Sequence, residues 1–464
     1  MIKTPAICDE RDLLFGRAPK PVTCGHGVVV GGGSVLPEIN FTLPPMEINQ
    51  DSWQMVREQY REMITGICDR AVDLQCPEFV VEFELLPPMT HRPEWGAEIT
   101  SMIRETLEHY HERYGLKSAL RVTVVDIRDN ERPPRMRSGA FLEKMLECFD
   151  LCAGSGADLL SIESTGGKEL HDVALLNGDL TGIIFALGVL GATDMKFLWD
   201  EIVKIAQAHN VIAAGDTACG FANTVMVLAE RKMLPRTLAA VVRVASVPRS
   251  LVAFLRGAKG PAKDCGYENP YIKVLMGVPI SMEGRSSACA HLSPLGNIAS
   301  ACADLWSNES VQNVRLLSGP APVASLEQLI YDCRLMNEAL REGDDAVRTL
   351  RRWLVESDAP RDPQAWVLRP DVVVEISRRM AECSSPLEMT LCGAEEAVST
   401  ICRARDAGSL KIPEREARWL DMLSDVLVTI PRDADALWES VKAAHPEVGI
   451  IPGEYLLNES SMTH

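Results

Sequence analysis

From residue 51 the chain alternates for roughly 300 residues between segments of helical and of strand periodicity, and that alternation restricts the fold more than any other feature. Residues 51–73 carry helical spacing, with Asn49 or Asp51 as the cap. FVVEFELLP (79–87) is a buried strand, 95–113 is helical, and RVTVVDIRD (121–129) is a strand. Residues 138–155 are helical and ADLLSIEST (157–165) is a strand. GIIFALGVL (182–190) fits either period. A helix over 194–208, the strand VIAAGD (211–216) and helices over 221–233 and 236–256 follow. VPISMEG (278–284) and VQNVRLLSG (311–319) form late strands.

Repeated strand–helix units predict an α/β fold, a (β/α)8 TIM barrel over 51–340, with a doubly wound open sheet as the alternative. Residues 1–50 form an N-terminal extension. Its segment VVVGGGSVLPEINFTLPPM lacks the Gly pattern of a dinucleotide site and reads as a strand and bend before the main fold. Residues 341–464 form a helical C-terminal extension, with helices at 340–354, 370–383, 394–407 and 413–428. A barrel gathers its reactive groups at the C-terminal ends of its strands, so those seams hold the candidates.

Charge and composition exclude several classes. A net charge of -18 repels nucleic acid. No uninterrupted apolar run reaches the ~20 residues of a membrane span, and MIKTPAICDERDLLFG lacks the pattern of a secretory signal. A cytoplasmic enzyme is expected. The fourteen cysteines include no CxxC pair, so in a reducing compartment they are mostly free thiols.

Three segments place a soft or acidic group after an apolar run, amid small residues: LLSIESTGGKE with Glu163, AAGDTACGFANT with Cys219 and GPAKDCGYENP with Cys265. Two thiolates and a carboxylate converging on a barrel mouth would give zinc three protein ligands and an open fourth position. The spacing is no signature. Each cysteine could equally be a small buried residue, and Glu163 could pair with a lysine such as Lys168. HDVALLNGD offers His171, Asp172, Asn177 and Asp179. Asp216 could orient a ligand or cap the next helix, and Asn223 flanks Cys219 on the other side. Cys289 and His291, two apart, are poorly spaced for a nucleophile pair.

Longer stretches carry a resemblance. SIESTGGKE, GDTACGFANT, KDCGYENPYIK, GVPISMEGRSSACAHLSPLGN and DLWSNESVQNVRLLSG, with VVVGGGSVLPEINFTLP and RWLDML, resemble the methanol:corrinoid methyltransferase catalytic subunits of methanogens and acetogens. The resemblance covers nearly the whole chain and is weakest over the last hundred residues. It implies a TIM barrel with one zinc ion on Glu163, Cys219 and Cys265. It also implies methanol as substrate and a separate corrinoid-binding protein as methyl acceptor and partner. A homo-oligomer within that complex is expected. The chain itself has no DxHxxG corrinoid motif, which agrees with an external cobalt.

The implied reaction asks the zinc to stabilise charge growing on the methanol oxygen while Co(I) takes the methyl group. Asp179, Asp172 and His171 are the candidate proton donors. Rival readings are the same transfer from methylamines or methoxylated aromatics, a metal-dependent barrel hydrolase, and a scaffold with structural zinc.

Overall fold

A computed structural model describes residues 2–43, 46–311, 315–316 and 319–457. Its centre is a parallel sheet of seven strands: β1 (Leu36–Thr42), β2 (Glu78–Glu84), β3 (Lys117–Val125), β4 (Leu159–Glu163), β5 (Ile212–Asp216), β6 (Ser281–Glu283) and β7 (Leu305–Val311). They lie in the order β5-β4-β3-β2-β1-β7-β6. Residues 259–262 close the gap between the two edges. Lys259 and Gly260 donate their backbone N–H groups to Ala213 (2.8 Å) and Ala214 (2.9 Å) of β5. Ala262 then bridges in parallel to Ile280 and donates to Pro279 at 3.1 Å. Pro261 has no N–H to give, so this eighth stave is short and irregular. The result is the TIM barrel.

The segment 1–50, expected to lie outside the barrel, supplies β1, which pairs with β2 on one side and β7 on the other. A hairpin of Arg17–Thr23 and Val29–Gly32 precedes it. Val28 and Val30 of that hairpin pack with Leu36, Val80, Ala119, Leu159, Ala214 and Leu305. These apolar side chains close the base of the barrel, so the working end is the C-terminal end of the strands.

The pleat explains the rest of the interior. Ile39, Phe41, Phe79, Val81, Phe83, Leu120, Val122, Leu160 and Ile162 join the core shared with the helices. The alternate positions face inward and are polar above the basal layer. Arg121 donates to Glu38 (2.8 Å) and Ser161 (2.9 Å), and Thr123 donates to Glu82 (2.5 Å). Asn40 bridges Glu84 (3.2 Å) and Asp264 (3.3 Å).

The run 182–190, ambiguous in period, lies within a continuous helix, Leu180–His209. This helix and Arg236–Leu255 are long and apolar enough to span a membrane by length and composition, yet 78% and 94% of their apolar windows are buried inside the protein. Both are core helices here. The 236–256 helix breaks at Ser246, where Pro248 opens a second segment. The strand expected at 311–319 lies partly outside the described residues. The barrel strand is upstream, at β7, where Ser307 donates to Asp264 at 2.8 Å. A polar inward face disguised it.

The longer C-terminal helices are Asp344–Asp358, Pro370–Ala381, Pro386–Asp406, Glu414–Thr429 and an unexpected Ala434–Ala444. Helix 386–406 packs along 236–245 on the barrel wall.

Candidate metal centre

Glu163 ends β4, Cys219 lies three residues beyond β5, and Cys265 lies three beyond Ala262. The fold brings their ligand atoms within 4.8 Å of one another. Tetrahedral donors around zinc stand about 3.5–3.8 Å apart, given Zn–S near 2.3 Å. The bound on their separation is compatible with that donor spacing. Cys265 is buried, Cys219 is partly exposed, and Glu163 keeps 33% of its side chain accessible. One side of the cluster is therefore walled by protein and another faces the mouth. Two sulfurs and one carboxylate suit Zn²⁺ better than Mg²⁺ or Ca²⁺.

The three loops are tied to each other. Cys265 adopts φ +56°, the left-handed region that few residues with a Cβ enter. Its neighbour must be glycine, because a Cβ on Gly266 would stand 2.8 Å from Asn269 Nδ2 and from Thr217 Cγ2. Asn269 donates to the carbonyls of Lys263 and Ser281, both at 2.8 Å. Glu268 Oε1 accepts from Ala218 N (2.6 Å) and Ser250 Oγ (2.7 Å), joining the Cys265 loop to the residue before Cys219. The buried Arg249 donates to Thr217 O (3.0 Å) and Ser164 Oγ (2.6 Å) and lies over the Phe221 ring at 4.5 Å. It thereby joins the loop after Glu163 to the one before Cys219.

Asp216, read as ligand orienter or helix cap, accepts from Ser164 Oγ (2.6 Å) and Trp199 Nε1 (3.4 Å). It anchors the residue after Glu163. Asn223 donates to Cys219 Sγ at 3.2 Å across a wide turn of π type.

Beside the three donors lies a second acidic group, Glu82, Glu84 and Asp264. Its centre is filled by the ammonium of Lys263, 2.8 Å from Glu84 Oε1, 2.8 Å from Asp264 Oδ1 and 3.4 Å from Glu82 Oε1. The same nitrogen stands 2.9 Å from Glu163 Oε1. Glu163 thus pairs with a lysine, but Lys168, the one expected, bonds Asp172 instead. Burial opposes charge on Lys263, yet Asp264, Glu163, Glu82 and Glu84 outweigh it and hold the ammonium well above the usual range. Burial pushes Glu163 and Glu82 up, against Lys263. Burial also opposes ionisation of Asp264, but Lys263, Ser307 and Asn40 keep it low.

The remaining expected residues divide. His171 is buried, 3.3 Å from Asp172 and edge-on to Phe221 at 5.0 Å, and burial lowers its pKa. Asp172 is held below the usual carboxylate range: burial opposes this, but His171 and Lys168 prevail. Both residues flank the Cys219 loop through Phe221 and Lys168. Asp179 does not join them. It caps the next helix by accepting from Thr181 N (2.9 Å) and Gly182 N (3.0 Å), and it meets His445 Nε2 at 2.8 Å. Its carboxylate is used in structure. Cys289 is exposed, while His291 faces Glu283 Oε1 at 3.1 Å.

Sequence reasoning missed Lys263, Glu82, Glu84, Arg249 and Glu268. The signal for the glutamates was in FVVEFE: charges two apart on a strand with no solvent face.

Residues 3–449 match a family model described as "Methanol-cobalamin methyltransferase B subunit". The chain is 38% identical over 433 residues, 93% of each chain, to the "Methanol--corrinoid protein co-methyltransferase" of Methanosarcina barkeri (strain Fusaro / DSM 804). It is also similar to a chain in the crystal structure of the methanol:cobalamin methyltransferase complex MtaBC from Methanosarcina barkeri. That match has a TM-score of 0.93 at 36% identity and covers 98% of this chain and 99% of the other.

Proposed function

The chain belongs to the methanol-cobalamin methyltransferase B subunit family, and from that premise we propose that it is a zinc enzyme whose metal is held by Glu163, Cys219 and Cys265. The observation that carries the proposal is the convergence of those three donors, from three separate staves, within 4.8 Å.

Methanol is a poor methyl donor because its C–O electron pair must stay on oxygen. A zinc ion in this centre supplies a Lewis acid for the charge growing there. The methyl group passes to Co(I) of the corrinoid, giving methyl-Co(III). The oxygen leaves as hydroxide, or as water once it gains a proton. The apolar plug at Val28 and Val30 closes the base of the barrel. The corrinoid protein must therefore present its cobalt at the C-terminal mouth, where the Glu163 carboxylate is accessible. The buried Arg249, Asp216 and Glu268 keep the three ligand loops fixed while this happens.

Asp172 and His171 are the pair assigned to hand on the proton, with Lys168 completing it. Asp172 is ionised and His171 neutral at pH 7, so the pair relays a proton from its surroundings rather than storing one. More than one copy of the chain is expected in the complex with the corrinoid protein, which the mass of that complex by light scattering checks.

The zinc assignment is tested by Cys219→Ala and Cys265→Ala. Each variant is expected to lose bound zinc and methanol-dependent methylation of cob(I)alamin together. Retention of both metal and rate would overturn the ligand set.

A further inference from the structure

Lys263 sits at the C-terminal end of the eighth stave, two residues before Cys265, with a fully buried side chain. An ammonium has three protons. Here three oxygens stand at hydrogen-bond distance: Glu84 and Asp264 at 2.8 Å and Glu163 at 2.9 Å. Glu82 at 3.4 Å adds charge alone. Arg121, another buried cation inside the barrel, serves the layer below. It bonds Glu38 at 2.8 Å and reaches Glu82 only at 3.7 Å. Lys263 therefore touches a donor of the metal cluster directly.

We propose that Lys263 is a positioning residue for Glu163 which also tunes the metal centre, trading metal affinity for Lewis acidity. This rests on the reading of Glu163, Cys219 and Cys265 as zinc ligands. Two thiolates and a carboxylate place three negative charges around a dication, and such an ion withdraws electrons weakly from a bound alcohol. An ammonium on the carboxylate offsets the surplus charge and draws density away from the donor oxygen. It also occupies Glu163 Oε1, which leaves the second oxygen for the metal. A unit positive charge this near a dication repels it, so the lysine weakens binding while it strengthens activation.

The sign of the effect separates this role from a structural one. In Lys263→Met, zinc affinity by chelator competition is expected to rise about tenfold. The turnover number for methanol with cob(I)alamin is expected to fall about 10–100-fold, with little change in KM. The cobalt(II)-substituted protein should keep the absorption intensity of two thiolate ligands. Lys263→Gln removes the charge but keeps an N–H donor, and carries the same measurements if the methionine variant does not fold. Zinc affinity that is unchanged or lower in the folded variant overturns the proposal. So does failure of both variants to fold, since Lys263 would then be a counter-ion for the core. A wild-type protein without zinc would instead refute the metal assignment beneath it.

Discussion

Asn223 donates its side-chain N–H to the sulfur of Cys219 at 3.2 Å, from four residues further along one wide helical turn. A neutral donor on a thiolate favours the ionised, correctly aimed form without adding charge that repels a cation. Its loss should act opposite to the loss of Lys263. Asn223→Ala is expected to weaken zinc binding about 10–100-fold while the urea midpoint of the metal-free protein stays put. Chelator competition measures the first and equilibrium unfolding the second.

Arg249 is the mechanical link between two ligand loops. It donates to Ser164, next to Glu163, and to Thr217, two residues before Cys219. It also stands 3.6 Å from the buried Asp216. Removing a partner from a buried charged network costs about 3–5 kcal/mol. Arg249→Met should lose stability of that order in urea unfolding. Arg249→Lys should recover little, because one ammonium cannot reproduce the forked guanidinium. A lysine variant as stable as the parent would show that charge alone suffices.

Strands β2 to β5 were legible because their apolar residues run nearly unbroken between turn signals, as in VIAAGD and FVVEFE. β1 falls in the segment read as a strand and bend before the main fold, because Pro37 and the glycine run before it look like a lead-in. The stave at 259–262 has no periodic pattern at all, since Gly260 and Pro261 fill half of it. β7 was displaced because Ser307 on its inward face and Asn308 on its other face are both polar, and the apolar letters lie further on. The ligand triad came from resemblance to a family, while spacing left it open. Lys263 was invisible for a physical reason. Its partners come from β2, from β4 and from its own loop, and no local pattern encodes that meeting. Asp179, near His171 in sequence, is bound in the fold by its own helix and by His445.

Asp362 gives the fold a pH dependence of known sign. It caps Pro363–Trp366 through Gln364 N at 2.8 Å and pairs with Arg236 at 2.9 Å. Burial nonetheless pushes its carboxyl up to about 6, from 3.8, against the pull of Arg236. Between those values the folded chain holds a proton that the unfolded chain has released. Stability from this group therefore falls as pH rises through the window from 3.8 to about 6, and is level above it. The span corresponds to at most about 3 kcal/mol. Asp362→Asn keeps a capping oxygen and cannot titrate, so its urea midpoint should fall less than the parent's between pH 4.5 and pH 7. An equal fall in both proteins would place the proton elsewhere.

Asp179 and Asp172 can be told apart by which quantity each variant moves. Asp179 holds the first turn of the helix that begins at Leu180 and fastens it to His445 of the C-terminal helices. Asp179→Ala should cost about 1–2 kcal/mol in unfolding, the worth of a helix cap, with zinc content and turnover unchanged. Asp172→Asn leaves that cap intact but removes the charge between Lys168 and His171. It should slow methanol turnover about tenfold or more at unchanged zinc content, the effect of losing a proton relay. The reverse result, a slow but stable Asp179→Ala and a fully active Asp172→Asn, would return Asp179 to the reaction. The helix cap would then be the means by which the fold aims its carboxylate.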